Sequence, residues 1–254
     1  MRIYRDMGYV KSRKRTATLY SVLGVVLLAT AFFLSFRGGP QNPNAVLFAY
    51  IPLLAGTVVF HMGMQLVGQW NRSPRNDEVL DSVLKDLGEK YALIHFAPAG
   101  KKTIPHLLIH PGGVLAIVVK EIAGDVTYAN GKWSRSRAGA SRLFGFSGPQ
   151  LGNPTVEAQS NLAALNATLA EAGIAAPTDA AIVFPNRLAQ LDIEEPDFPV
   201  VNGEGLPIFV KDLPADPAFK PEDKQRIIDL LAAGDQVQSN KMQTARRPVK
   251  RKAA

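Results

Sequence analysis

Two uncharged apolar runs near the start of the chain restrict every fold that can follow. Ala17 to Phe36, "ATLYSVLGVVLLATAFFLSF", spans 20 residues, and Ala45 to Trp70, "AVLFAYIPLLAGTVVFHMGMQLVGQW", spans 26, with no Asp, Glu, Lys or Arg in either. About 20 apolar residues cross a bilayer as a helix. The intervening "RGGPQNPN" is short and rich in turn residues, so the expectation is a transmembrane hairpin over 17–70. A cleaved signal peptide is the rival for the first run. It is disfavoured because the apolar stretch continues through "FFLSF" and a second follows at once.

Charge orients this hairpin. Arg2, Arg5, Lys11, Arg13, Lys14 and Arg15 precede the first run, only Arg37 lies between the runs, and Arg72 and Arg75 follow the second. The positive-inside rule then places both termini in the cytoplasm, on an inner or plasma membrane. Residues 1–16 read as a basic cytoplasmic tail, 71–234 as a cytoplasmic domain, and 235–254 as a disordered basic tail. Tyr20, Tyr50 and Trp70 are candidate interface anchors. His61 and Gln65 share a helical face and fit a helix–helix contact better than an ion path. Two spans without buried charge give transport no support.

The formal net charge of +7 is not spread over the chain. Residues 71–240 hold 16 basic residues against 21 acids, so the main domain is mildly acidic and lacks the balance of a broad DNA-binding face. Absence of cysteine excludes disulfides, zinc–thiolate sites and thiol nucleophiles.

Past the second run, apolar spacing at Val79, Leu80, Val83, Leu84 and Leu87 predicts a helix. "YALIHF", "IPHLLIH", "VLAIVVKEI" and "DVTYANGKW" predict strands, the last with an Asn-Gly turn signal. "NPTVEAQSNLAALNATLAEAG" predicts a helix with Pro154 in its first turn and Gly173 at its end. "DAAIVFP" and "LPIFV" follow as expected strands, and "KPEDKQRIIDLLAAG" as a last helix. The order predicts an α/β fold, a mixed central sheet flanked by helices.

Within it, "TIPHLLIHPGGVLAIVVKEIAGDV" (Thr103–Val126) carries Ile104, His106, Pro111, Gly113, Ile117, Lys120 and Gly124. With "NPTVEAQ" and Trp133 downstream, the chain resembles the nuclease-related domain (NERD) family of the PD-(D/E)xK restriction-endonuclease-like superfamily. That resemblance implies a site in which an Asp on one strand and a Glu on the next hold Mg²⁺, with a Lys two residues after the Glu. Here those positions are Pro105, Val118 and Lys120, and neither proline nor valine supplies the oxygen donors that Mg²⁺ takes. Asp77 falls at the family's first-helix acid and Gln159 on its helix start, where it either faces the site or is an exposed helix glutamine. The expectation is a vestigial site of Asp77, Pro105, Val118, Lys120 and Gln159, with no cofactor and no metal. Mg²⁺ enters only under an alternative in which Asp77, Glu121 or Asp125 serves a rearranged nuclease. Strand alternation turns Glu121 away from Val118, and Asp125 lies past Gly124. Lys120 is either a relict phosphate contact or a lysine snorkelling from a strand end. His106 and His110, about 13 Å apart on an extended strand, cannot share one ion.

Partners follow the same logic. Lys132, Arg135, Arg137 and Arg142, interleaved with Trp133, Phe144 and Phe146, could contact nucleic acid or another anion; the bland reading is a solvated loop. "RRPVKRK" at 246–252 suits anionic lipid at a membrane surface, nucleic acid, or water. A protein partner is unknown from sequence. The functional expectation is a membrane-anchored, non-catalytic binding or scaffold module.

Overall fold

A computed structural model of the chain describes residues 1–37, 43–136, 150–233 and 236–237. Its first element differs from the expected basic tail. Arg2–Arg5 form a strand, β1, and helix α1 then runs from Met7 to Arg37. Helix α2 returns over Pro43–Trp70. Both helices are long and apolar enough to cross a membrane, over Met7–Phe36 and Leu47–Trp70. They pack at small residues. A Cβ on Gly24 would lie 2.5 Å from the Phe60 backbone, and one on Gly63 would lie 2.5 Å from Ser21 N. Such close backbone approach is how helices associate where no hydrophobic effect drives them together. On α2, Gln65 Nε2 meets His61 Nε2 at 2.8 Å.

The domain is a mixed α/β fold. Helix α3 (Asn76–Val83) leads into strands β2 (Ala92–Ala99), β3 (Lys102–His110) and β4 (Gly113–Val119). Strands β5 (Gly124–Ala129) and β6 (Lys132–Ser136) form a hairpin whose turn residues, Asn130 and Gly131, both have positive φ (51° and 74°), as the Asn-Gly signal requires. Helix α4 (Pro154–Glu171) starts at Asn153, whose side chain accepts from Val156 N, with Pro154 in its first turn. Strands β7 (Thr178–Phe184), β8 (Ala189–Ile193) and β9 (Val200–Asn202), helices α5 (Leu206–Asp212) and α6 (Pro221–Leu231), and a two-residue strand β10 (Gln236–Val237) complete the order.

Seven strands form the main sheet in the order β10-β1-β2-β3-β4-β7-β9, and β6-β5-β8 form a second sheet. Strand β1 pairs parallel to β2, with Ile3 opposite Leu93. The N-terminal segment is therefore part of the domain. Strand β10 pairs with β1 on its other side, inside a stretch expected to be disordered; residues 238–254, with the basic cluster at 246–252, lie outside the described residues. Strands β3 and β4 are buried on both faces. One face packs Ile94, Leu107, Ala116 and Ile182 under α4 and α6, and the other packs Leu93, Leu108, Leu115 and Ile117 with α3 and α5. Each such Leu or Ile side chain contributes roughly 1.5–3 kcal/mol on burial. "LPIFV" differs from its expected strand: it is helical, with Pro207 in the first turn and Leu206 and Val210 buried. Those two are four apart while Ile208 between them is exposed, a helical rather than an alternating pattern.

Substituting Gly63 by Val is expected to force α1 and α2 apart. The cost should be about 1–3 kcal/mol, read as a lower Tm of the full chain in detergent. A Cβ on Gly68 meets nothing within 4 Å, so Gly68→Ala should not lower Tm, and the better helix propensity of alanine should hold or raise it.

Candidate functional site

Strand β3 carries its proline in the middle of a sheet, and the sheet yields around it. The β2–β3 ladder pairs His95 with His106 and Ala97 with Ile104 but skips Phe96 and Pro105. The β3–β4 ladder stops at Leu107 opposite Ala116. Pro105 has no N–H to give either neighbour, and Phe96 takes a left-handed conformation, φ 63°. Two further steps of the β3–β4 register would set Pro105 opposite Val118. Both line a cavity of about 420 Å³, together with Asp77, His106, Lys120 and Glu121. The fold thus brings together four of the five expected site residues.

The fifth is Gln159, which is exposed and does not line the cavity. Glu157 and Asn161 face it instead. They are four apart on α4 and share one face of it, with Gln159 turned away between them. Glu157 Oε1 accepts from Lys120 Nζ at 2.5 Å. Lys120 is buried in this pair rather than snorkelling into water.

Glu121 also lines the cavity, against the expectation from strand alternation. Strand β4 ends at Val119, and Ile122 N then bonds to Lys120 O at 3.0 Å. This three-residue turn centred on Glu121 cancels the parity of the strand. The Glu121 carboxylate is bound by Arg72. Asp125 differs: it is exposed on β5 in the second sheet.

Asp77 is 2% exposed and lies between two guanidinium groups. Arg75 donates to it through Nε (3.0 Å) and Nη2 (2.7 Å). Arg5 of β1 places Nε 2.8 Å from Asp77 Oδ2 without an aligned hydrogen bond, and its Nη2 donates to Asp81. Burial alone would raise the Asp77 carboxyl. The hydrogen bond from Arg75 and the charges of Arg5 and Arg75 outweigh burial and hold it below the ordinary aspartate value. Asp81 Oδ1 meets His95 Nε2 at 2.9 Å, and His95 Nδ1 meets His106 Nδ1 at 2.9 Å. Burial first, then the neighbouring His95, pushes His106 well below the usual histidine range. His106 therefore belongs to a buried polar chain. His110 is separate and accepts from Gly112 N at 3.2 Å.

Three carboxylates (Asp77, Glu121 and Glu157) line one cavity, yet Asp77 is held by Arg5 and Arg75, Glu121 by Arg72 and Glu157 by Lys120. Among the described residues no three His, Asp or Glu side chains are placed to hold a metal ion. The donor set does not fit the Mg²⁺ that the family resemblance implies, because Pro105 and Val118 supply no oxygen and Val118 packs into the core.

The basic hairpin candidates divide. Lys132 is exposed at the β5–β6 turn. Arg135 donates through Nε (3.1 Å) and Nη2 (2.8 Å) to Ala123 O, so it braces the end of the β4–β5 connection. Arg137 and Arg142, like Phe144 and Phe146, lie outside the described residues. Trp133 is part of the fold: its Nε1 donates to Thr155 Oγ1 at 2.9 Å, and its ring packs on Phe184.

Compared with known families, residues 70–185 match the nuclease-related domain, NERD. No curated protein and no solved structure gives a match to the chain.

Asp77→Asn should cost about 3–5 kcal/mol, because it leaves Arg5 and Arg75 buried without their shared counter-charge; thermal unfolding of the full chain checks this. His106 takes its proton much less readily folded than unfolded. Stability from this group is complete above the unfolded value near 6.5 and falls as pH drops below it. Tm measured from pH 7.5 down to pH 5 should decline, and His106→Gln should flatten that decline.

Proposed function

Since residues 70–185 carry a nuclease-related domain, we propose that the chain is a membrane-anchored, non-catalytic version of it, acting as a binding or scaffold module. The observation that carries this reading is the charge state of the cavity. Every carboxylate that could seat a divalent ion is already paired: Asp77 with Arg5 and Arg75, Glu121 with Arg72, and Glu157 with Lys120. A metal would have to displace four cationic side chains to gain three carboxylates from three different elements.

The two apolar helices support anchoring in an inner or plasma membrane. Strand β1 precedes the hairpin and pairs with β2, which follows it, so both ends of the hairpin open on one side. The excess of Lys and Arg on that side makes it the cytoplasmic side. Lys132 and, outside the described residues, Arg137 and Arg142 are the candidates for contacting nucleic acid or an anionic surface.

A second reading rests on the same cavity: three acids gathered near Lys120 favour a metal-dependent nuclease with rearranged ligands, if the ion pairs open. A cleavage assay of the full chain on single- and double-stranded DNA and RNA, with Mg²⁺ or Mn²⁺, separates the two. No cleavage above the background of Lys120→Ala is expected. Metal-dependent cleavage that is lost in Lys120→Ala and in Glu121→Gln would replace the first reading with the second.

A further inference from the structure

The cavity is not confined to the nuclease-related domain. Its wall on one side is the end of α2, where Gln65, Gln69 and Trp70 face it, and Tyr9 of α1 joins them. Those residues of α2 lie in the last two turns of the apolar segment Leu47–Trp70. A helix that spans a bilayer places its terminal Trp and amide side chains at headgroup depth. The mouth of the cavity is then level with lipid headgroups.

Its charges are balanced but not equally held. Arg72, Arg75 and Lys120 oppose Asp77, Glu121 and Glu157 around one space. The Lys120–Glu157 pair is lopsided: the lysine side chain is 10% exposed and the glutamate side chain 50%. Glu157 can rotate into water at little cost. The Lys120 ammonium cannot follow, and a buried charge left alone is expensive. An anion that enters as Glu157 leaves would take its place. With Glu157 out, the lining holds one more cation than carboxylate, the charge that a single phosphodiester neutralises. Gln65, Gln69 and Asn161 add uncharged hydrogen-bonding groups around the same space.

We propose that this junction cavity binds the phosphodiester headgroup of a membrane phospholipid, with Lys120 as the phosphate's principal cation, Arg72 beside it, and Glu157 as the displaceable occupant. The proposal gives a ligand class to the binding module described above and rests on that reading. A nucleic-acid backbone presents the same phosphodiester. It is disfavoured because residues 71–240 carry 16 basic residues against 21 acids, and because the mouth faces headgroup depth.

The test uses the full chain in detergent. Trp70 lines the cavity and the chain has two tryptophans, so a Trp133→Phe background reports on Trp70 fluorescence. Short-chain phosphatidylglycerol is titrated in, with inorganic phosphate and a single-stranded DNA oligonucleotide as separate arms. A saturable change with the lipid is expected. Lys120→Gln should weaken it roughly tenfold or more, the size expected for losing a hydrogen bond from a charged group. Glu157→Gln should tighten it, because it removes the competitor. Opposite effects from the two halves of one ion pair are not what a merely structural bridge would give. No saturable change, equal weakening by both variants, or inorganic phosphate binding as tightly as the lipid would each overturn the proposal. So would preference for the oligonucleotide. Failure here is distinct from failure of the non-catalytic reading, which only cleavage would show.

Discussion

The salt-bridged cluster of Arg5, Arg75, Asp77 and Asp81 holds the two ends of the helical hairpin together. Arg5 sits on the strand just before α1, and the two aspartates sit on the helix just after α2. Buried ion pairs give little net stability, because desolvating the charges consumes most of the Coulomb gain. What they give is a definite geometry. Asp81 passes the constraint to His95, and His95 to His106 on β3. The position of the hairpin is thereby fixed to the centre of the sheet by polar contacts, reinforced by the Tyr9, Trp70 and Phe96 rings packed together beside them.

The same cluster sets the character of the cavity. In a metal-dependent nuclease the acids need a cation from solution. Here arginines and a lysine of the chain supply it, and valine and proline fill the two strand positions. Pro105 also interrupts both ladders beside it, opposite Phe96 with its left-handed backbone, and both residues line the cavity.

Much of this was legible in the sequence. The apolar runs, β2 to β4, the Asn-Gly hairpin, α4 with Pro154 in its first turn, and the substituted motif positions are all where local pattern puts them. What escaped has physical reasons. Strand β1 is four residues long and rich in arginine, so nothing local marks it as part of a core; only its neighbour β2 makes it a strand. Strands β8 and β9 are short and half-exposed; β8 alternates, but over five residues only. "LPIFV" has a composition that suits a strand, while its buried positions follow helical spacing. Glu121 escapes strand alternation because β4 ends at Val119. Glu157 lies on the face of α4 that it shares with Asn161, opposite the one bearing Gln159, and no local signal separates the two faces.

Strands β1 and β2 are parallel neighbours, and parallel neighbours need a crossover between them. In this chain the crossover is the apolar hairpin itself. If the hairpin lies in a bilayer, the sheet gains its β1 edge only after both helices have been threaded into lipid and the chain has returned. Until then Leu93 and the rest of the β2 edge stay open to water, and Asp77 and Asp81 lack Arg5. In that case completion of the sheet would follow insertion of the two helices, because the strand that closes this edge lies on the far side of them in the chain.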